Sequence, residues 1–321
     1  MRINKKVLAA AATASLAVLL AACSTNTPTA EPSAPAPAAT DDVVTIGLIT
    51  KFPVDFYDIM VDAAKEWDAN EPGAEVIYAQ GSSGTDDEGV IAAIQSMVTQ
   101  GVDAIAITPT SPNVAGELQK AVDAGIYVIL VDNDIPDWDG KSTVVTTDNY
   151  AGGELAGQWF LDNVPAGTKL AILQGVLGNP SLDDRVQGML DVVGDHVTVV
   201  AETPTDCDQT KGLNAAQDIL TANPDVEAIY AACGPPLLGA HEAIKSAGLE
   251  GMLVTIGFDA LPDEVAAIIA GTQTGSVAQF PAKMGSLGVQ AAFDAVMGET
   301  LPPLIDTGTA MVTKDNAADF Q

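Results

Sequence analysis

From Val43 nearly to the C-terminus, short runs of β-branched and aliphatic residues alternate with longer amphipathic stretches. Val43–Ile49, Glu75–Ala79, Ala104–Thr108, Tyr127–Asp132, Lys169–Gln174, Thr198–Thr203, Ala228–Ala232, Leu253–Phe258 and Gly275–Ala278 read as strands. Between them, Ile59–Asn70, Asp86–Gln100, Asn113–Ala124, Asp148–Asn163, Leu182–Val193, Lys211–Ala222, Leu237–Ala247, Pro262–Ala270 and Lys283–Met297 carry apolar residues at helical spacing. Gly101, Gly125 and Gly248 stand where three of these helices should stop. Repeated strand–helix alternation is an α/β pattern: strands must run parallel, with helices covering both faces. About ten strands rarely share one sheet, so two sheets of about five are expected. Such sheets take ligands at the carboxyl ends of their strands, which makes the residues after each strand the informative ones.

The first 42 residues stand outside this pattern. Met1–Lys6 is basic, Val7–Leu20 is an uncharged apolar run, and Leu20-Ala21-Ala22-Cys23 follows. Fourteen apolar residues suit a signal peptide better than a membrane-spanning helix. The Leu-Ala-Ala-Cys sequence resembles the bacterial lipobox, which implies a signal peptide over residues 1–22 and lipidation of Cys23. Two acyl chains would anchor the chain stably where one would not. Residues 23–42 are rich in Pro, Ala, Thr and Ser and read as a disordered tether. The remainder is expected to be extracytoplasmic, held at the outer face of the cell membrane or in the periplasm.

Charge removes several function classes. The chain holds 13 Lys and Arg against 43 Asp and Glu, and three of the bases lie in the signal segment. A nucleic-acid partner needs clustered Lys and Arg, so none is expected. No Gly-x-Ser-x-Gly, Gly-x-Gly-x-x-Gly or P-loop occurs, and no candidate base stands beside a nucleophile. An enzyme is therefore not expected. Asp132-Asn133-Asp134, with Asp137 and Asp139, misses the calcium-loop spacing and its terminal Glu, so neither metal nor cofactor is expected. Asp183 and Asp184 read as a solvated helix start, and His196 and His241 as surface residues. Trp67, Trp138 and Trp159 read as packing residues, with Trp138 also placed to roof a cleft. Cys207 and Cys233 remain once Cys23 is set aside, and spacing alone does not establish whether they pair.

At the strand ends stand Lys51-Phe52-Pro53-Val54-Asp55-Phe56, Asp132-Asn133, Arg185 in the helix after the fifth expected strand, Asp206-Cys207-Asp208, Cys233-Gly234, Phe258-Asp259 and Gln279-Phe280. Their order and spacing resemble the type I periplasmic binding proteins of sugar ABC transporters, on the ribose-binding branch. The resemblance runs from Val43 to about Asn316. It is carried by Val128-Ile129-Leu130-Val131-Asp132, Thr147-Asp148-Asn149-Tyr150-Ala151-Gly152-Gly153, Arg185-Val186-Gln187-Gly188-Met189, Asp208-Gln209-Thr210-Lys211-Gly212, Gly257-Phe258-Asp259 and Val277-Ala278-Gln279-Phe280-Pro281.

The resemblance implies two Rossmann-like lobes joined by a three-strand hinge, with a ligand cleft between them. The lobes would be residues 43–147 plus 280–309 and residues 148–279 plus 310–321. It assigns ligand contacts to Asp132, Arg185, Asp259 and Gln279, and to the first-lobe loop of Lys51, Phe52, Asp55 and Phe56. Asn133 stands where sugar binders of this branch often carry Arg. Cys207 replaces an aromatic and Cys233 an Asn, at positions expected on neighbouring strands; both would line the cleft as a disulfide. A carboxylate that accepts from two hydroxyls and a guanidinium that donates to two suit a neutral polyhydroxylated ligand. Losing one aromatic disfavours a planar pyranose face and favours a small polyol or pentose. The implied partners are that ligand and an ABC permease, with the protein itself a monomer. A sugar-like signal in place of a nutrient, or an enzyme on a doubly wound fold, are the alternatives.

Overall fold

The computed structural model describes residues 43–320; the signal segment, Cys23 and the tether read from the sequence lie outside the described residues. The first part of the chain runs β1 (Val44–Thr50), α1 (Asp55–Asn70), β2 (Ala74–Gln80), α2 (Asp87–Gln100), β3 (Ala104–Ile107), α3 (Ala115–Asp123), β4 (Tyr127–Val131) and β5 (Thr143–Thr146). It continues α4 (Asn149–Asn163), β6 (Thr168–Gln174), α5 (Pro180–Val193), β7 (Val197–Pro204), α6 (Gln209–Ala222), β8 (Ala228–Ala231), α7 (Gly234–Ser246), β9 (Val254–Asp259), α8 (Pro262–Ala270) and β10 (Gly275–Ala278). α9 (Pro281–Val296), β11 (Leu304–Asp306) and β12 (Ala310–Thr313) complete it.

The strands form two sheets, in the orders β11-β5-β4-β3-β1-β2 and β12-β10-β9-β8-β6-β7. Read strand for strand, the two orders are the same topology. Every pairing is parallel except β12 against β10. The chain passes from the first sheet to the second after β5, returns after β10 so that α9 covers the first sheet, and passes again between β11 and β12.

Each sheet is dry on both faces, which is why its strands are continuous apolar runs. Ile46, Leu48, Met60 and Met284 pack between the first sheet and α1 with α9; Ile94, Ile105, Leu118 and Leu130 fill the opposite face. In the second sheet Phe160, Ile172, Met189 and Phe258 lie under α4 and α5, and Leu173, Ala216, Ile229 and Leu237 under α6 and α7. α4 and α5 cross closely because Gly153 and Gly188 carry no side chain: a Cβ at Gly153 would strike the backbone of Arg185, and one at Gly188 the backbone of Tyr150. That contact fixes the helix bearing Arg185.

Every strand expected from the sequence is present, with its ends within one residue. The sheets hold six strands rather than about five. The additional ones, β5, β11 and β12, are three or four residues long and flank the passages between sheets. Their pairing with β4, β5 and β10, distant in the chain or beyond the regular alternation, makes them strands. α5 and α9 begin at Pro180 and Pro281, two residues earlier than expected. Proline at the first helical position needs no N–H partner and already has helical φ. α1 begins at Asp55, four residues before Ile59, with the acids Asp55 and Asp58 in its first turn favoured by the helix dipole.

Candidate functional site

A cleft lies between the carboxyl ends of the two sheets. From the first sheet come Lys51 and Phe52 after β1, Phe56 and Tyr57 in the first turn of α1, and Asp132 and Asn133 after β4. From the second come Val176 after β6, Leu182 and Arg185 of α5, Cys207 after β7, Cys233 after β8, Asp259 at the end of β9 and Gln279 after β10. Residues up to 228 positions apart in sequence thus meet because each follows a parallel strand. Asp55 does not join them. It is exposed, because the helical turn that buries Phe56 and Tyr57 leaves Asp55 facing water, where an unpaired carboxylate is cheapest.

Asp132 and Asp259 both have left-handed backbones, at φ 67° and 100°. Such conformations cost non-glycine residues energy and persist where surrounding bonds over-determine them. Here the Asp132 amide donates to the Val145 carbonyl at 2.8 Å, and the Thr146 hydroxyl to the Asp132 carbonyl at 2.6 Å. Beyond Asp259, the Ala260 amide donates to Ser276 Oγ at 3.1 Å.

Arg185 is held on three sides. Nε donates to Asn149 Oδ1 at 2.9 Å, while Nη1 donates to the Ala232 carbonyl at 2.9 Å and to Asp259 Oδ1 at 3.2 Å. Its guanidinium carbon lies 4.0 Å from the centre of the Phe258 ring. Gln279 Nε2 donates to Asp259 Oδ1 at 2.6 Å, and the Gly234 amide to Asp259 Oδ2 at 3.0 Å. In the first lobe the Tyr57 hydroxyl donates to Asp132 Oδ2 at 3.2 Å. Burial pushes both aspartates up, against the pull of Arg185 on each and of Lys51 on Asp132. Burial also brings the Lys51 ammonium down to about 8 and holds the Tyr57 hydroxyl well above its usual value. Two cations and two carboxylates therefore balance within one buried site.

Asn133, expected to touch ligand, is spent between the lobes. Its Oδ1 accepts from Lys51 Nζ and, at 3.0 Å, from Asn179 Nδ2; its own Nδ2 donates to Ser181 Oγ at 3.3 Å. Asn179 caps α5, and Ser181 lies in the helix's first turn. Sequence reasoning missed this pair, and also Tyr57, because α1 was expected to begin after it.

Cys207 and Cys233 are joined by a disulfide, with Cα atoms 5.8 Å apart. Their strands are not neighbours: β6 stands between β7 and β8. Strand ends two places apart lie roughly 9–10 Å from one another. Asp206 and Cys207, at φ 51° and 55°, turn the chain back over β6 and close that gap. Trp138 donates to Gln119 Oε1 at 2.9 Å within the first lobe's core and does not roof the cleft. The histidines are half-buried rather than on the surface: His196 Nε2 lies 2.9 Å from the Val164 carbonyl, and burial lowers His241 to about 4. Among the described residues, no group of His, Cys, Asp and Glu is placed to hold a metal ion.

The family model described as "Periplasmic binding protein domain" matches residues 46–300. The ribose import binding protein RbsB of Bacillus subtilis is 30% identical over 312 residues, covering 97% of this chain and 99% of that one. The D-allose-binding periplasmic protein of Escherichia coli is 30% identical over 71% of this chain and 76% of its own. An ABC transporter solute-binding protein from Mycobacterium smegmatis, solved with bound glycerol, superimposes with a TM-score of 0.81 at 30% identity, over 86% of this chain and 96% of that one.

Proposed function

Because the chain belongs to the periplasmic binding protein family, on its ribose-binding branch, we propose that it is the lipid-anchored receptor of an ABC importer and captures a small neutral polyol or pentose by hinge closure. Relatives named for ribose and D-allose, and a neighbour holding glycerol, support a carbohydrate ligand. The observation that carries the reading is the balance of charge in the cleft. Lys51 and Arg185 offset Asp132 and Asp259, so an ionic ligand would leave one buried charge uncompensated, which costs several kcal/mol. A neutral ligand with vicinal hydroxyls adds no charge, yet can accept from Arg185 and donate to Asp132 and Gln279.

Closure has its own side chains. The bonds from Asn133 to Asn179 and Ser181 join residues 43–147 plus 280–309 to residues 148–279 plus 310–321, the two lobes we assign. Opening the cleft would break them. A ligand that bonds both lobes therefore biases the open–closed equilibrium by its differential affinity for the closed form. Cys23 would carry the acyl anchor and residues 23–42 would let the receptor reach its permease.

A thermal-shift screen of the whole chain against pentoses, hexoses and alditols tests the ligand class. A true ligand at 100 times its dissociation constant should add about 2.7 kcal/mol of stability. No shift with any neutral carbohydrate would defeat the reading. Cys23→Ser should release the protein from the membrane fraction; retention would defeat the anchor.

A further inference from the structure

Two buried cations line the cleft, and only one of them has a carboxylate partner. Arg185 is paired with Asp259. Among the described residues, no carboxylate oxygen stands at ion-pairing distance from Lys51. The Lys51 side chain is buried, and its Nζ bonds only the Asn133 Oδ1. An ammonium has three N–H donors and no acceptor. Two of the three therefore lack a protein partner, and a buried donor left in that state costs free energy.

Asp132 has the complementary deficiency. Its Oδ2 accepts from the Tyr57 hydroxyl, and its Oδ1 has no protein partner among the described residues. Asp132 follows β4 and Lys51 follows β1, with β3 between those strands. Strand ends two places apart lie roughly 9–10 Å from one another, a gap the long Lys51 side chain crosses to reach Asn133. The ammonium and the Asp132 carboxylate act on each other electrostatically, yet they form no direct bond. A hydroxyl satisfies both at once, because its oxygen accepts from N–H while its own hydrogen goes to a carboxylate. An ether oxygen can satisfy only the ammonium, and a methyl group neither.

Building on the carbohydrate reading above, we infer that Lys51 is a specificity-determining residue: its ammonium and the Asp132 carboxylate grip one and the same hydroxyl of the bound polyol or pentose. The charged groups facing Lys51 are Tyr57 of α1, Asp132 after β4, Arg185 of α5 and Asp259 of β9, and Asp206 after β7 lines the same cleft. Burial lowers the Lys51 ammonium to about 8, against the pull of Asp132. The ammonium is therefore present below that value and lost above it, so affinity should fall as pH rises through about 8. Glu264 titrates in the same range, and the two are told apart by variants.

Isothermal titration of the whole chain with D-ribose, D-arabinose, D-xylose, erythritol, ribitol and xylitol identifies the binders. Each binder is then titrated into Lys51→Met, Asp132→Asn and the double variant. Lys51→Met should weaken binding by roughly tenfold or more, the loss of one charge-assisted hydrogen bond. The double variant should bind within about threefold of Asp132→Asn alone, because a shared hydroxyl can be lost only once. From about pH 7 to about pH 9 the affinity of the unsubstituted chain should fall, with the fall kept in Glu264→Gln and absent from Lys51→Met. Affinity that holds steady over that range in the unsubstituted chain overturns the inference without any variant. So does a folded Lys51→Met that binds as tightly as the unsubstituted chain; either result leaves the carbohydrate receptor standing. Losses that multiply in the double variant overturn the shared hydroxyl. Absence of binding by the whole panel overturns both readings.

Discussion

Asp132 and Asp259 occupy one place in two copies of a single topology, yet the two lobes hold them differently. Both end a corresponding strand, β4 and β9, both have positive φ, and both are buried. The Asp259 carboxylate accepts three hydrogen bonds from the protein, from Arg185, Gln279 and the Gly234 amide. Asp132 accepts one to its carboxylate, from Tyr57. The second lobe also has a covalent strap between β7 and β8, and a helix, α8, between β9 and β10 where the first lobe has only a loop between β4 and β5. The second lobe thus satisfies its carboxylate from within the protein, while the first leaves one oxygen of its own without a protein partner among the described residues.

The largest effect should come from the two aspartates themselves. Asp132→Ala should weaken ligand binding by roughly a hundredfold or more, the loss of two charge-assisted hydrogen bonds, and should lower the melting temperature less than Asp259→Ala does, because burial already holds the neighbouring Lys51 ammonium down to about 8 and it can shed its proton. Asp259→Ala should cost about 3–5 kcal/mol of stability, because it strands the buried Arg185 charge. Calorimetric melts and titrations of both variants check this; equal melting losses would break the contrast between the lobes.

Next in size is the strap. The bridge closes a sequence separation of 26 residues, and its loss should cost about 3 kcal/mol by the chain-entropy argument. The paired substitution Cys207→Ser, Cys233→Ser should lower the urea midpoint accordingly. Alkylation of the native protein without reductant should label neither cysteine, as read by intact mass; two labelled thiols would remove the strap from the comparison.

An effect of the same order should appear as a pH dependence rooted in the second lobe. Glu264 of α8 is fully buried behind Asp259, accepting from Gln273 Nε2 at 2.9 Å and from Ser276 Oγ at 3.0 Å. Burial, reinforced by Asp259, pushes its carboxyl up from 4.5 to about 8. The folded state therefore keeps a proton that the unfolded chain releases, so this contribution to stability is complete below about pH 4.5 and is lost as pH rises through about 8. Melting temperature should fall across that window, and Glu264→Gln should flatten the fall. A slope unchanged in the variant would assign it to another group.

The smallest expected effect is at the latch. Asn133→Ala removes the bonds to Asn179 and Ser181, and that from Lys51, without touching Asp132, Arg185, Asp259 or Gln279. Ligand affinity should drop by about threefold to tenfold, as expected for one or two neutral hydrogen bonds, and small-angle scattering should show a larger radius of gyration at subsaturating ligand. A hundredfold loss would instead make Asn133 a ligand contact.

Much of this site was legible in the sequence. Lys51, Phe52, Phe56, Asp132, Arg185, Cys207, Cys233, Asp259 and Gln279 all follow expected strands or lie in the helix after one, and the structure brings all of them to one cavity. Asp55 was misplaced because a loop was expected where α1 has already begun, and a helix turns each successive side chain by about 100°. Asn133 lines the cavity as expected, but its amide is committed across the cleft to residues 46 and 48 positions away. No local pattern encodes such a partner.

The sequence by itself determined the alternation of strands and helices, the burial of both sheet faces, and which residues stand at the carboxyl ends of the strands. These follow from hydrophobic period and turn chemistry, which act over a few residues. Only the tertiary structure decided that β6 separates β7 from β8, that β5, β11 and β12 are strands at all, and that Asp259 is fully bonded while Asp132 is not. Each of those depends on which strand ends lie side by side, and that order is set by pairing between segments distant in the chain.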